Sequence, residues 1–135
     1  MKKYFLETSV IINFLRGKQE MIEMVENLEG ELVSSYVCLA ELFEGVYRTP
    51  INERNKVEKG VKDFFAGLGE IYGLDKEIAE KFGQIRTELK ARGKVIEDLD
   101  ILVGATCLSY DLILVTGNLE HFKRIEGLRL AKVSV

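Results

Sequence analysis

The chain begins with the stretch KKYFLETSVIINFLRG, residues 2–17, in which an acidic residue joins a short β-type run to a helix. The run Lys3–Leu6 predicts the first strand, because it is apolar and rich in aromatic residues. Thr8 or Ser9 can then cap the helix that follows. Glu7 stands between the two elements, at the carboxyl end of the strand. Ligands of open parallel sheets bind beyond that edge, so Glu7 is a candidate functional residue.

Short β-type runs continue to alternate with longer segments of helical period, which predicts an α/β fold. We expect three layers, with a central parallel sheet of four to five strands flanked by helices. The later predicted strands are Glu31–Ser34, Glu70–Tyr72, Leu112–Val115 and Leu128–Val133. The run Leu112–Val115 is continuously apolar, which is typical of a central parallel strand covered on both faces.

Six helices are predicted between these strands. Pro50 separates the helix that contains Glu41 from an amphipathic helix, and we expect the two to pack as a hairpin. Asp75 opens a further helix, which ends near Gly93, and the last predicted helix begins near Asp98.

The composition fits one compact domain over residues 1–135, a length that can build a hydrophobic core. The 19 Lys and Arg against 22 Asp and Glu give a formal net charge of −3, so nucleic-acid binding would need a local basic patch. Cys38 and Cys107 are too few for a disulfide framework, which favours a reducing compartment. No apolar stretch approaches the roughly 20 residues that span a bilayer. We therefore expect a soluble cytoplasmic protein with no membrane contact.

Four acidic residues lie where the predicted elements would carry them to one edge of the sheet: Glu7, Glu41, Asp98 and Asp100. Clustered carboxylates there can hold Mg²⁺ or Mn²⁺, and many enzymes cut phosphodiesters in this way. Each acid also has an ordinary explanation. Glu7 could accept backbone N–H bonds at the next helix start, and Asp98 or Asp100 could cap a helix. Glu41, in a largely apolar helix, could pair with Arg or Lys.

Other classes of function have little support. His121 is the only histidine, which argues against multi-histidine zinc sites and against catalysis by a His-Asp pair. The segment Gly67–Gly69 lacks the third glycine of a dinucleotide fingerprint, and no Walker-type motif is present. A phospho-acceptor domain would carry a lysine after a late strand, and Leu114–Asn118 has none.

Taken together, four segments resemble the PIN domain, and more narrowly the VapC-type toxin ribonucleases of toxin–antitoxin pairs. The segments are Leu6–Gly17, Ala40–Val46, Asp98–Thr106 and Leu114–Phe122. The resemblance implies one PIN-like domain over residues 1–135. It implies a metal-dependent endoribonuclease that uses Mg²⁺ or Mn²⁺ to hydrolyse the phosphodiester bonds of single-stranded RNA. It also implies a homodimer and a small cognate antitoxin that folds over the site.

The resemblance places the catalytic, metal-binding acids at Glu7, Glu41 and Asp100, with Asp98 and Asn118 as further candidate ligands. Thr8 or Ser9 would stand beside the first acid as a hydroxyl partner. This chain departs from the family pattern at two positions. Glu7 replaces the usual aspartate and is one methylene longer, and Asn118 stands where many members carry aspartate.

The implied reaction needs no side-chain nucleophile, because a bound metal would activate a water and stabilise charge on the phosphate. Since acidic residues repel RNA, basic residues at the rim should contact the phosphates. The candidates are Arg16, Arg86 and Arg92, although each could be ordinary solvated charge. The departures at Glu7 and Asn118 favour an alternative, a PIN-fold RNA- or protein-binding domain with weakened or lost nuclease activity.

Overall fold

Four parallel strands form the sheet of the computed structural model, which describes residues 1–131. They are β1 (Lys3–Leu6), β2 (Glu31–Ser35), β3 (Glu70–Tyr72) and β4 (Ile113–Val115). The strand order is β3-β2-β1-β4, so β1 pairs with both β2 and β4. The predicted parallel α/β fold is therefore confirmed.

Seven helices in the described part of the chain connect and cover these strands. They are α1 (Thr8–Leu15), α2 (Gln19–Glu26), α3 (Tyr36–Arg48), α4 (Ile51–Ala66), α5 (Lys76–Ala91), α6 (Asp98–Ser109) and α7 (Leu119–Phe122). The six predicted helices are all present, and α3 packs against α4 as the expected hairpin. α7 was not predicted, because four residues are too few to show a helical period. Within residues 1–131, no helix is long and apolar enough to cross a membrane.

The sheet ends differently from the prediction. β4 lies at one end of the strand order, so the expectation that it is central holds for burial but not for position. Leu114 is fully buried, and a single parallel bridge joins it to Leu130 on its free side. The predicted strand Leu128–Val133 is reduced to this bridge as far as it is described, and residues 132–133 lie outside the described residues.

The N-cap of α1 and the N-cap of α5 are each the last residue with extended backbone before the helix. Asp75 caps α5 as predicted, accepting a hydrogen bond from the Ile78 N–H at 2.9 Å. For α1 the prediction is wrong, since Thr8 and Ser9 lie inside the helix and Glu7 is its N-cap. The chain leaves β1 with φ −84° and ψ 158° at Glu7, so this residue has the cap geometry. The two hydroxyl groups are consequently free for other contacts.

Candidate active site

The carboxyl ends of the neighbouring strands β1 and β4 bring Glu7 and Thr116 together. Each residue directly follows its strand, and the Glu7 N–H continues the ladder by donating to the Val115 carbonyl at 3.0 Å. α1 starts from the same edge and carries Thr8, whose hydroxyl donates to Glu41 Oε1 on α3 at 2.6 Å. The edge predicted from the sequence is therefore where side chains from β1, β4 and α3 meet.

Glu7 is buried, with only 6% of its surface exposed. Its Oε1 accepts hydrogen bonds from Ser9 Oγ and Thr116 Oγ1, each at 2.5 Å, and its Oε2 accepts one from Ser9 N at 3.2 Å. The alternative in which Glu7 accepts a backbone N–H at the helix start is thus observed, with two hydroxyl donors in addition. These bonds satisfy a carboxylate that would otherwise be costly to bury.

Glu41 lies close enough to the other acids for their charges to act on it. Burial raises the pKa of Glu41, the hydrogen bond from Thr8 opposes this, and the negative charges of Glu7, Asp100 and Glu97 raise the pKa further. In the part of the chain that the structure describes, no Lys or Arg forms an ion pair with Glu41. The ordinary explanation offered for Glu41, a basic partner, is therefore wrong for the described residues.

Asp100 lies in the first turn of α6, beside His121. Burial raises the pKa of Asp100, and the charges of Glu7 and Glu97 raise it further against the lowering effect of His121. The His121 Nδ1 lies 3.7 Å from Asp100 Oδ2 and 2.9 Å from the amide Nδ2 of Asn118. His121 therefore lies at the site, between Asp100 and Asn118.

The further candidate ligands have other partners. Asp98 lies 3.3 Å from Arg86, and 59% of its side chain is exposed. Asn118 contacts His121 through its amide, and its N–H donates to Thr116 Oγ1 at 2.9 Å. Glu7, Glu41 and Asp100 thus lie near enough for their charges to interact. Asp98 is paired with Arg86, whereas Asn118 stays at the site through its contact with His121, the neighbour of Asp100.

The three candidate arginines differ in their surroundings. Arg16 lines a groove of about 670 Å³ between α1, α3 and α4, which also contains Glu41. Arg86 is held by Asp98, and its side chain is 43% exposed. Arg92 donates to the carbonyl of Arg124 at 2.7 Å, which ties the end of α5 to the segment after α7. Arg16 therefore shares a groove with one of the three central acids, Glu41.

Three residues at the site escaped the sequence analysis: Thr116, His121 and Glu97. Thr116 directly follows an apolar strand, as Glu7 does, so its position could have identified it. His121 is a single histidine in the sequence, so no motif of several histidines marks it as a site residue. Glu97 acts on both Glu41 and Asp100 through its charge, and nothing in the sequence pattern distinguishes it from other surface acids.

The donor chemistry of this site fits a hard divalent cation, although the side chains are not arranged around one. Among residues 1–131, no three Asp, Glu, His or Cys side chains are placed to hold an ion together. The oxygens of Glu7 and Glu41 instead face hydroxyl groups. Carboxylates from separate elements that repel each other, with no Lys or Arg partner among residues 1–131, are nevertheless the ligand set that Mg²⁺ and Mn²⁺ prefer.

Comparison with known proteins agrees with this fold and this acidic sheet edge. The PIN domain family model matches residues 4–128. The chain therefore belongs to the PIN-domain family. It is 33% identical over 130 residues to ribonuclease VapC2 of Haemophilus influenzae, covering 96% of each chain. It is 32% identical to the tRNA(fMet)-specific endonuclease VapC of Shigella flexneri, again covering 96% of each.

Solved structures give the same result. The chain is similar to DNA-bound VapBC from Salmonella typhimurium, with a TM-score of 0.89 and 27% identity over 99% of this chain and 100% of that one. It is also similar to VapBC2 from Rickettsia felis bound to a promoter DNA fragment, with a TM-score of 0.87 and 26% identity over 96% and 97%. The resemblance found in the four sequence segments is confirmed.

Proposed function

We propose that this chain is a VapC-type endoribonuclease, a toxin that hydrolyses phosphodiester bonds of single-stranded RNA with Mg²⁺ or Mn²⁺. The observation that supports the proposal is that Glu7, Glu41 and Asp100 lie near enough at one sheet edge for their charges to interact. Their charges raise the pKa of Glu41 and of Asp100, and no Lys or Arg of residues 1–131 forms an ion pair with any of the three. The names of the relatives, which are ribonucleases and endonucleases, support the same activity.

In this proposal Glu7, Glu41 and Asp100 hold the metal and are the catalytic residues. When bound, the metal would activate a water and stabilise charge on the phosphate and the leaving oxygen. Thr8 and Ser9 hold the carboxylates of Glu41 and Glu7 through their hydroxyl groups. We leave Asp98 outside the ligand set, because Arg86 pairs with it. Asn118 stays a further candidate ligand, because its contact with His121 uses the amide nitrogen and not the amide oxygen that would face a cation.

Arg16 and Arg86 are proposed to contact the RNA backbone at the rim of the acids. Arg16→Gln and Arg86→Gln should each raise KM with little change in kcat, because a phosphate contact supports binding throughout the reaction. The slope of log affinity against log salt should fall by about one unit in each variant. Lys59→Gln, an exposed residue of α4 paired with Asp63, is the control and should leave both quantities unchanged.

We also propose that residues 1–135 form one PIN-like domain that works in the cytoplasm as a homodimer and is restrained by a small cognate antitoxin. The similarity to two VapBC structures supports a protein partner. Co-expression with a candidate small antitoxin, followed by light scattering, would measure both assemblies. A chain that stays monomeric and does not bind that antitoxin would contradict this part of the proposal.

RNA cleavage with Mn²⁺ tests the site directly. Glu41→Gln and Asp100→Asn should each abolish cleavage while the protein remains folded. Glu44→Gln is the matched control, because Glu44 is exposed one turn further along α3. Cleavage by Asp100→Asn at the wild-type rate would contradict the site assignment.

One observation favours a second function, in which the chain binds RNA or protein but has weak or no nuclease activity. Both oxygens of Glu7 are already bonded, and Asn118 adds no negative charge to the site. Metal titration separates the two functions. If Mn²⁺ binds no more tightly than millimolar and the purified protein cleaves no RNA at any metal concentration, the nuclease proposal fails.

A further inference from the structure

Three donors from two parts of the chain hold the Glu7 carboxylate in one position. Ser9 contributes its hydroxyl and its backbone N–H from the first turn of α1. Thr116, which is 1% exposed and lies 109 residues further along the chain, contributes a second hydroxyl at 2.5 Å. The carboxylate is therefore fixed by α1 on one side and by the residue after β4 on the other.

Backbone N–H groups determine the direction in which both hydroxyl protons point. The Gly117 N–H donates to Ser9 Oγ at 3.0 Å, and the Asn118 N–H donates to Thr116 Oγ1 at 2.9 Å. Because each hydroxyl oxygen accepts from the backbone, its own proton is left to donate to Glu7. The turn approaches closely, since a Cβ at Gly117 would lie 3.3 Å from Ser9 Oγ. Both hydroxyls are thus oriented towards the carboxylate by the fold itself.

We propose that Ser9 and Thr116 are positioning residues that set this site for glutamate at position 7, so that the shorter aspartate cannot replace it. The inference rests on the proposed function, because it concerns the affinity of the acidic site for a metal. Aspartate would withdraw the carboxylate by about one carbon–carbon bond, or about 1.5 Å. A functional site tolerates a displacement of only about 0.5 Å. Aspartate would also leave the two hydroxyls without their acceptor.

The test measures Mn²⁺ binding to the metal-free full chain by electron paramagnetic resonance, which requires no RNA cleavage. Glu7→Asp and Thr116→Val should each weaken Mn²⁺ binding by about 10–100-fold, the usual effect of losing a group that orients a metal ligand. Thr116→Ser keeps the hydroxyl and should restore binding to within about 3-fold of the wild type. Circular dichroism would establish that each variant is folded.

Thr106→Val is the matched control for the loss of a buried threonine hydroxyl. Thr106 is 3% exposed, and its hydroxyl donates to the Leu102 carbonyl of the same helix, at 2.8 Å. Its replacement should leave the Mn²⁺ affinity unchanged. If Thr116→Val does not fold, Ser9→Ala removes the other hydroxyl and carries the same test.

The double variant Glu7→Asp/Thr116→Val separates positioning from general stability. An aspartate at position 7 is too short to reach the Thr116 hydroxyl. If Thr116 acts through Glu7, its loss should then have no further effect, and the Mn²⁺ affinity of the double variant should match that of Glu7→Asp within about 2-fold. Multiplying losses would overturn the inference, and so would Mn²⁺ binding by Glu7→Asp that equals or exceeds the wild type. A wild-type chain that binds no Mn²⁺ and cleaves no RNA would overturn both the inference and the proposed function. A wild type that does both, with an unimpaired Glu7→Asp, overturns the inference alone.

Discussion

Replacing Asp100 by asparagine should stabilise the metal-free protein and remove its response to Mn²⁺. Burial and the charges of Glu7 and Glu97 raise the pKa of Asp100, so its ionised form is disfavoured in the folded chain. Its side chain is only 16% exposed, and His121 lies 3.7 Å from it. Asparagine keeps the shape of the side chain and removes the charge that the fold tolerates poorly.

The magnitude follows from two opposing contributions. A like charge about 6 Å away costs about 1–3 kcal/mol at an effective dielectric constant between about 80 and 20. Losing a first-turn acid of α6 costs about 0.5 kcal/mol of favourable interaction with the helix dipole. We therefore expect the free energy of unfolding to rise by about 1 kcal/mol, which is about 4 °C in Tm for a chain of this length.

Thermal unfolding with EDTA and then with Mn²⁺ measures both effects. At a Mn²⁺ concentration about 100-fold above Kd, the wild type should gain about 2.7 kcal/mol, so the order of the two melting temperatures should reverse. Asp98→Asn is the control, because Asp98 lies in the same helical turn but pairs with Arg86. It should not raise Tm in EDTA and should keep the wild-type Mn²⁺ response. An Asp100→Asn variant that melts below the wild type in EDTA, or gains as much from Mn²⁺, would refute the reasoning.

Three further predictions concern stability. The folded-state pKa values of Glu41 and Asp100 lie above their ordinary values of 4.5 and 3.8. For each group, at a pH between its ordinary value and its folded-state value, the folded chain therefore binds more protons than the unfolded chain. Their contribution to metal-free stability should therefore fall as pH rises through that window, and melting curves should show a weaker fall in Asp100→Asn; identical pH profiles would contradict this. Gly104→Ala should cost about 1 kcal/mol net in urea unfolding, because the new Cβ would lie 2.5 Å from Ile125 Cδ1 while alanine gains about 1 kcal/mol over glycine inside α6. Ile125→Val should recover the loss, and no recovery would exclude this clash as the cause. Asp75→Ala should cost about 1 kcal/mol through loss of the α5 cap, whereas Asp75→Asn, which can still cap, should cost little; equal losses would argue against a capping role.

Most of the fold was predictable because local patterns report local burial. The strands Lys3–Leu6 and Glu70–Tyr72 are confirmed to the residue, and Pro50 correctly separates the two helices of the hairpin. The place of β4 in the sheet was not predictable in this way. A continuous apolar run shows that a strand is covered on both faces, but it does not show how many strands lie beside it.

Some residues of the candidate site could likewise be predicted from the sequence, and others could not. Glu7 and Glu41 could be selected from the sequence because an acid at a strand end or on an apolar helix conflicts with its surroundings. Asp100 was separated from Asp98 only by the resemblance to the PIN domain, since both are first-turn acids of one helix. The position of Thr116 after a strand could have indicated it, but a buried threonine does not conflict with its surroundings, so its role depends on knowing its partner. That partner is Glu7, and the contact depends on β4 lying beside β1, which no local pattern encodes. The assignment of metal-binding roles to the three acids stays a prediction.

The hydrogen bond between Glu7 and Thr116 also determines when, during synthesis of the chain, the site can form. It joins residues 109 positions apart, and β4 is the last strand in the described chain to be added to the sheet. Chains emerge from the ribosome amino end first, at about 5–20 residues per second. A nascent chain therefore exposes Glu7 and Glu41 seconds before the strand that completes their surroundings. Translation itself delays the finished site until β4 and Thr116 have been made.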